Sequence, residues 1–304
     1  MRLAGLALAT LLAACADDTS GSSRPDGRLR VVATTGMVAD LARAVGGDAV
    51  VVEALMGPGV DPHLYKASAG DLQRLRAADL ILYNGLGLEG KMGDLFVELK
   101  DKGREVAPVT SDLPQDRLLE PEELAGHYDP HVWFDTALWA ETPGRVAEAL
   151  AKRDPARAAD YRGRAAAYRE ALLALDREVR AAVAAIPRER RVLVTSHDAF
   201  RYFGRAYDVE VAGLQGISTV DEPGVEDVRR IVELVVSRRV KAIFVETSVS
   251  PKAIEAVIQA AGERGHVVRD GGTLYSDAMG AKPPEDAYPG MVRANVRTFV
   301  EAMR

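Results

Sequence analysis

The chain has 304 residues, of which 47% are hydrophobic and 28% are charged. This composition is typical of a globular protein large enough for two hydrophobic cores, so we expect two lobes. The net charge of −6 and the scatter of Lys and Arg along the chain argue against nucleic-acid binding.

The N-terminus has the features of a secretion signal. One arginine precedes an apolar run from Leu3 to Leu12, which is too short to cross a membrane because a spanning helix needs roughly 20 apolar residues. We therefore predict a signal peptide over residues 1–14. Leu12-Ala13-Ala14-Cys15 matches the bacterial lipobox, in which the cysteine thiol receives a diacylglyceryl group.

Cys15 is the only cysteine, so it cannot form an intramolecular disulfide, and lipidation is the role that fits it. An ordinary signal peptide with an incidental cysteine is the alternative. Residues 15–28 are rich in Ser, Gly and Asp, which predicts a flexible tether between the lipid anchor and the folded body. We expect an exported protein that is lipid-anchored to a membrane on its periplasmic or extracytoplasmic face.

Residues 29–153 are predicted to form the first lobe. Short β-branched runs alternate there with amphipathic stretches, a pattern typical of a parallel sheet covered by helices on both faces. The predicted strands are 30–34, 50–55 and 80–83, the predicted helices are 37–45, 68–77 with Ser68 as N-cap, and 91–100, and 105–109 is predicted to be extended.

Residues 154–187 are predicted to form one long linking helix. The segment is rich in Ala, Arg, Glu and Leu, starts near Pro155 and is stopped by Pro187, and its apolar residues recur at helical spacing. About 30 residues would span roughly 45 Å, enough to connect two lobes. A coiled-coil dimer helix is the alternative, disfavoured because the stripe lacks sustained Leu/Ile heptads.

The α/β alternation resumes in residues 188–304, the predicted second lobe. Its predicted strands are 192–194, 242–245 and 266–268, its predicted helices are 199–205, 225–237, 251–264 and 289–303, and 209–212 is predicted to be extended.

Three of the five histidines stand where a ligand site would form. His63 and His131 each close an Asp-Pro-His triplet, and His197 follows a predicted strand directly. In open α/β sheets ligands bind beyond the carboxyl ends of strands, which favours such positions. Asp277 lies in a polar loop after the last predicted strand and is the fourth candidate.

Three neutral imidazoles and one carboxylate form a common ligand set for Zn²⁺ or Mn²⁺. Asp61 and Asp129 are interpreted as hydrogen-bonding partners that orient the imidazoles, because a carboxylate beside a ligand histidine fixes its tautomer. His127 is interpreted as a loop residue, since Pro130 breaks any helix that it could share with His131. His266 is interpreted as structural.

Five ordered motifs resemble those of the zinc/manganese-type solute-binding lipoproteins of ABC importers, the TroA-like family. They are Asp61-Pro62-His63-Leu64-Tyr65, Asp129-Pro130-His131-Val132-Trp133, Thr195-Ser196-His197 with the residues to Phe203, Gln215-Gly216-Ile217-Ser218-Thr219 and Tyr275-Ser276-Asp277-Ala278-Met279-Gly280. The resemblance runs from about Leu29 to the C-terminus.

The resemblance implies two Rossmann-like lobes with parallel sheets, joined by one rigid helix, with the metal at the lobe interface. Carried over by motif, the ligands are His63, His131, His197 and Asp277. The implied partners are an ABC permease and its ATPase, and we expect a monomer. The chain departs from the family in two ways: many manganese members have Glu where His197 stands, and many zinc members insert a His-rich loop that is absent here. We favour Mn²⁺ narrowly over Zn²⁺.

Two other functions remain open from the sequence. A zinc hydrolase would need an open coordination position and a general base, and the chain has no His-Glu-x-x-His motif. An adhesin could use the same fold for contact with a host or matrix. For a metal carrier, capture should weaken as the pH falls through about 6.5, the reference pKa of histidine.

Overall fold

The computed structural model describes residues 27–304. The predicted signal peptide, Cys15 and most of the predicted tether lie outside the described residues. Within residues 27–304, no helix combines the length and the apolar character that a membrane crossing requires.

The first lobe is built on a four-stranded parallel sheet with the order β2-β1-β3-β4. Thr35 caps the first helix, which ends where Gly47 takes a positive φ of 55°. Ser68 and Asp71 form a capping box on the second helix, which confirms the predicted N-cap. The elements are β1 Leu29–Ala33, α1 Gly36–Gly46, β2 Val50–Ala54, α2 Ala69–Ala77, β3 Leu80–Tyr83, α3 Gly93–Asp101 and β4 Val106–Pro108.

Three helices follow the first sheet: α4 Thr136–Trp139, α5 Thr142–Arg153 and α6 Ala158–Ala184. The linking helix α6 is shorter than predicted, because the backbone of Asp154 is not helical and Pro155 opens a separate 3-10 turn. Its 27 residues still span roughly 40 Å. Arg164 donates to the carbonyls of Val45 and Gly46 at the end of α1, which attaches α6 to the first lobe.

The second lobe contains two pairs of parallel strands, β5 with β6 and β7 with β8, and β5 also contacts β7. The remaining elements are β5 Val192–His197, α7 Arg201–Tyr207, β6 Glu210–Gln215, α8 Val225–Ser237, β7 Ala242–Glu246, α9 Lys252–Glu263, β8 Arg269–Leu274 and α10 Tyr288–Met303.

The strand predicted at 266–268 is wrong. His266 follows the turn that closes α9 and its N–H bonds back to the carbonyl of Ala261, while Val267 is exposed. The actual strand β8 has the sequence Arg-Asp-Gly-Gly-Thr-Leu, which has no apolar alternation. Its pairing with β7, rather than its own composition, makes it a strand.

The two lobes share one hydrophobic core. A single cluster of buried residues contains Val31 and Leu82 of the first sheet, Leu172 of α6, and Leu193 and Phe244 of the second lobe. Smaller clusters lie beneath α8 and α9 and beneath α2 and α3. Because a close-packed core resists deformation, this continuity fixes the lobes relative to each other on that side of the cleft.

Candidate metal centre

The four predicted ligands lie together at the lobe interface. His63 follows β2 and His131 precedes α4, whereas His197 ends β5 and the Asp277 loop follows β8. Each of the four offers one ligand atom, and these atoms all lie within 4.8 Å of one another. The two lobes therefore contribute two side chains each.

The spacing of these atoms suits a metal ion. Nε2 of His63 is 3.3 Å from Nε2 of His131, and the carboxylate oxygens of Asp277 are 3.3–3.7 Å from the three Nε2 atoms. Ligands at 2.0–2.1 Å from a tetrahedral ion would be about 3.4 Å apart. One central ion could thus be reached by all four residues.

The centre is buried, and three of its polar atoms in the described part of the chain lack a hydrogen-bond partner. The side chains of His131, His197 and Asp277 have no exposed surface, and that of His63 is 5% exposed. Within residues 27–304, Nε2 of His197 and both oxygens of Asp277 have no hydrogen-bond partner. Buried polar atoms are normally satisfied, so this set of donors fits a divalent ion that would satisfy them.

In His131 and His197, a carboxylate lies beside Nδ1, the ring nitrogen that points away from the centre. Asp129 accepts a hydrogen bond from the backbone N–H of His131 and lies 2.8 Å from its Nδ1. Glu246 does the same for His197, at 2.8 Å from the backbone nitrogen and 2.5 Å from Nδ1. In both residues Nε2 is therefore the nitrogen that faces the centre.

The sequence analysis predicted the contact of Asp129 but missed Glu246. Glu246 is the last residue of β7, beside the end of β5 where His197 stands. A glutamate that closes an apolar strand at the ligand-binding edge of the sheet was the available signal.

Asp61 was predicted to orient the ring of His63, but its carboxylate makes other contacts. One of its oxygens accepts the backbone N–H of His63 at 2.8 Å. The other accepts the hydroxyl of Thr219, from the second lobe, at 2.5 Å. The physical reason is the hydroxyl of Thr219, which holds the Asp61 carboxylate toward the opposite lobe, whereas Asp129 makes the same backbone contact and still reaches the ring of His131. Asp61 thus connects the His63 loop to the opposite lobe.

Burial and charge shift the pKa values of the four residues in different directions. Burial lowers the pKa of His63 to about 4, against the attraction of Asp277. Burial also opposes protonation of His131 and His197, but the neighbouring carboxylates outweigh it: the pKa of His131 rises to about 9, and that of His197 rises well above its usual value. Burial would raise the pKa of Asp277, yet the two histidines hold it well below its usual value.

The ligand loops of the two lobes are also joined to each other. The indole of Trp133, two residues after His131, donates to the carbonyl of Ser276, the residue before Asp277. The hydroxyl of Tyr202 in α7 donates to the carbonyl of Asp129. These contacts position the His131 and Asp277 loops as one unit.

The other two histidines lie outside the centre. His127 is exposed in the loop before the second triplet, as predicted. The Nε2 atom of His266 lies 2.8 Å from the carbonyl oxygen of Val240, in agreement with a structural role.

Comparison with known proteins identifies related chains. The family model described as ZnuA, "Zinc-uptake complex component A periplasmic", matches residues 31–302. The chain is 46% identical over 294 residues to the manganese-binding lipoprotein MntA of Bacillus subtilis, covering 96% of this chain and 95% of that one. It is also 46% identical over 285 residues to the zinc-binding protein TroA of Treponema pallidum, covering 93% and 92%.

A solved structure gives the same relation. The periplasmic zinc-binding protein TroA of Treponema pallidum superposes with a TM-score of 0.88 at 47% identity, covering 91% of this chain and 99% of that chain. The similarity therefore extends over both lobes and the linking helix.

Proposed function

Since the chain belongs to the ZnuA family of metal-uptake components, we propose that it captures one divalent transition-metal ion outside the cytoplasmic membrane and delivers it to an ABC permease. The observation that carries this proposal is the convergence of three imidazoles and one carboxylate within 4.8 Å. The ion is the cargo, and no bond in a substrate is made or broken.

The proposed ligands are Nε2 of His63, Nε2 of His131, Nε2 of His197 and the carboxylate of Asp277. The distances of 3.3–3.7 Å from Asp277 to the three imidazoles and between His63 and His131, with all ligand atoms within 4.8 Å of one another, support simultaneous contact with a single ion. Both oxygens of Asp277 face imidazole nitrogens, so the carboxylate could bind through one oxygen or through two. This freedom suits an ion that accepts more than four ligand atoms.

Either manganese or zinc is the proposed cargo, with a narrow preference for manganese. Two relatives at 46% identity have names that specify different metals, manganese for MntA and zinc for TroA. Three imidazoles favour Zn²⁺ by intrinsic affinity, since Mn²⁺ is the weakest binder of the divalent series. The absence of a His-rich loop supports manganese, and metal availability can override the order of affinities.

Metal would reach the centre past the His63 loop. Two cavities of about 390 and 450 Å³ adjoin this loop, one lined by Asp61 and Leu64 and the other by Gly57, Pro58 and Asp277. The opposite side of the centre is closed by the shared core. The loop is therefore the proposed side of entry and release.

We propose further that the mature chain is a monomer anchored through a lipid on Cys15. Residues 1–14 would be removed as a signal peptide and residues 15–28 would act as a tether. Residues 29–153 and 188–304 would form the metal-binding lobes on either side of a linker at 154–187. The names of relatives such as MntA, a lipoprotein, support the anchor.

No specific contact favours the hydrolase or the adhesin. A zinc hydrolase needs a free carboxylate or imidazole as general base, whereas Asp129 and Glu246 both hold ligand histidines. The family supports solute binding instead of an enzymatic activity.

The decisive test is elemental analysis of protein purified from its native host, combined with titration of the metal-free protein. We expect one equivalent of Mn²⁺ or Zn²⁺ per chain. His63→Ala combined with His197→Ala should abolish this stoichiometric binding. A double variant that still retains one equivalent would refute the proposed site.

A further inference from the structure

Glu246 contacts His197 at two places, the backbone N–H and the ring, and each contact uses a different carboxylate oxygen. Oε1 accepts the backbone N–H at 2.8 Å, and Oε2 lies 2.5 Å from the ring Nδ1. The Glu246 side chain has no exposed surface, so water does not compete with either contact. The contact therefore fixes both the chain position of His197 and the rotation of its ring.

We propose that Glu246 is a positioning residue that keeps a proton on Nδ1 of His197 and so makes Nε2 the nitrogen that gives up its proton and binds the metal. This inference rests on the proposed function, because it assigns how one ligand of that site is prepared. A carboxylate has only acceptors, so the ring atom that faces it must carry the hydrogen.

Because the two contacts use different oxygens, replacing the carboxylate with an amide should reverse which nitrogen of the His197 ring carries the hydrogen. In Glu246→Gln, the side-chain carbonyl has to stay with the backbone N–H of His197, which is always a donor. The amide nitrogen is then left facing Nδ1, and it can only donate. Nδ1 becomes the acceptor, and the one hydrogen that the neutral ring keeps is then on Nε2, the nitrogen that faces the metal.

Asp129 provides a matched comparison in the other lobe. Its Oδ1 alone serves both the backbone N–H and Nδ1 of His131, at 2.9 and 2.8 Å. Within the described residues, its Oδ2 is buried without a hydrogen-bond partner. In Asp129→Asn the carbonyl can remain at the Oδ1 position and keep both contacts, while the amide nitrogen takes the place of Oδ2. The ring of His131 should therefore keep its proton on Nδ1.

The experiment compares the two variants with the parent chain by nitrogen-15 NMR of the histidine side chains and by zinc titration against a competing chelator. The signals of His197 are assigned by their loss in His197→Ala. We expect Nδ1 of His197 to be protonated in the parent, with or without zinc, and unprotonated in metal-free Glu246→Gln.

The two substitutions should also differ in zinc affinity. Loss of a carboxylate behind a ligand histidine typically costs 10–100-fold, and we expect a loss of roughly that size for Glu246→Gln and less than about tenfold for Asp129→Asn. Equal losses in both variants, with Nδ1 of His197 still protonated in Glu246→Gln, would mean that Glu246 acts only as a structural contact.

The same data separate this inference from the proposed function. If zinc leaves the Nε2 signal of His197 unchanged in the parent, the ligand assignment fails, while the proton position in the metal-free protein still decides the role of Glu246. If Glu246→Gln does not fold, the parent spectrum alone decides: an unprotonated Nδ1 of His197 overturns the inference.

Discussion

Asp61 in the first lobe accepts a hydrogen bond of 2.5 Å from the hydroxyl of Thr219 in the second lobe. The same carboxylate holds the backbone N–H of His63. The position of one proposed ligand thus depends on the approach of the opposite lobe. By contrast, His131 and Asp277 are joined through Trp133 and Ser276, on the side where the lobes share a core.

Thr219→Val should weaken metal binding, because it removes the hydroxyl without changing the shape of the side chain. A hydrogen bond to a charged group contributes about 1.5–3 kcal/mol, so we expect roughly a 10–100-fold loss of zinc affinity if the bond is fully formed only in the loaded protein. The measurement is competition with a chelator of known affinity.

Ser218→Ala is the matched control for this substitution. Among the described residues 27–304, the hydroxyl of Ser218 accepts one N–H, that of Val220 at 3.4 Å, and its loss should leave the affinity unchanged. Equal affinities of the parent and Thr219→Val would show that the contact between Asp61 and Thr219 does not contribute to capture.

Substitution of single histidines should show which of them bind the metal and which do not. His63→Ala and His197→Ala each delete a proposed ligand, and we expect a loss of zinc affinity greater than the roughly 100-fold upper value for residues that only orient a ligand. His266→Ala should bind zinc like the parent, because His266 contacts Val240 instead of the centre. Metal affinity is measured by the same chelator competition, and a large loss in His266→Ala would contradict the assignment.

Metal capture should release protons at neutral pH. The pKa of His131 is raised to about 9 and that of His197 well above its usual value, so both rings hold protons that the metal must displace. His63, with its pKa lowered to about 4, is already neutral. We expect about two protons released per ion at pH 7.5, measured by calorimetry in buffers of different ionisation enthalpy.

The affinity should accordingly fall by roughly tenfold per pH unit for each displaced proton, below about pH 9 for His131 and, for His197, below a pKa that is also raised well above its usual value. The sequence alone placed the onset near 6.5, because it used the reference pKa of histidine. The metal-free protein should show the opposite trend. Since both folded pKa values exceed the unfolded value, the stability that the two rings contribute is full below about pH 6.5 and is lost as the pH rises through each folded pKa, about 9 for His131. A pH-independent affinity would rule out displacement of these protons.

Much of the centre could be predicted because its residues follow strands or occur in repeated triplets. His63, His131, His197 and Asp277 lie together as expected. Glu246 could not be paired with His197 from the sequence, since 49 residues separate them and only the contact between β5 and β7 brings them together. The contact of Asp61 with Thr219 is likewise a product of tertiary structure.

For the fold as well, elements set by local sequence could be predicted and those set by tertiary contacts could not. Helices with clear caps and periodicity, such as α2 and α8, lie within a residue of their predicted bounds. The strand β8 was misplaced because its residues have no β pattern and its pairing with β7 decides its conformation. The shared core was also not predicted, since composition gives the amount of buried surface but not its continuity between lobes.

Cys15→Ser should release the protein from membranes. Leu12-Ala13-Ala14-Cys15 matches a lipobox, and the serine hydroxyl cannot receive the thioether-linked lipid. We expect the parent in the membrane fraction and the variant in the soluble extracytoplasmic fraction, measured by fractionation and immunoblotting. Equal membrane association of the two proteins would contradict the anchor, because residues 27–304 contain no helix suited to crossing a membrane.

Gly213 should be less tolerant of a side chain than its neighbour Gly216. A Cβ atom at Gly213 would lie 2.5 Å from the backbone nitrogen of Asp198, the residue after His197, whereas a Cβ at Gly216 would meet nothing within 4 Å. Overpacking typically costs about 1–3 kcal/mol, so Gly213→Ala should lower the free energy of unfolding by that amount. Gly216→Ala should leave it unchanged or raise it slightly, because alanine restricts the unfolded chain. Urea denaturation measures the free energy of unfolding of both variants. The displaced backbone at Asp198 should also reduce the zinc affinity, and only in Gly213→Ala. Equal stability and equal zinc affinity of the two variants would mean that the backbone beside His197 can move without cost.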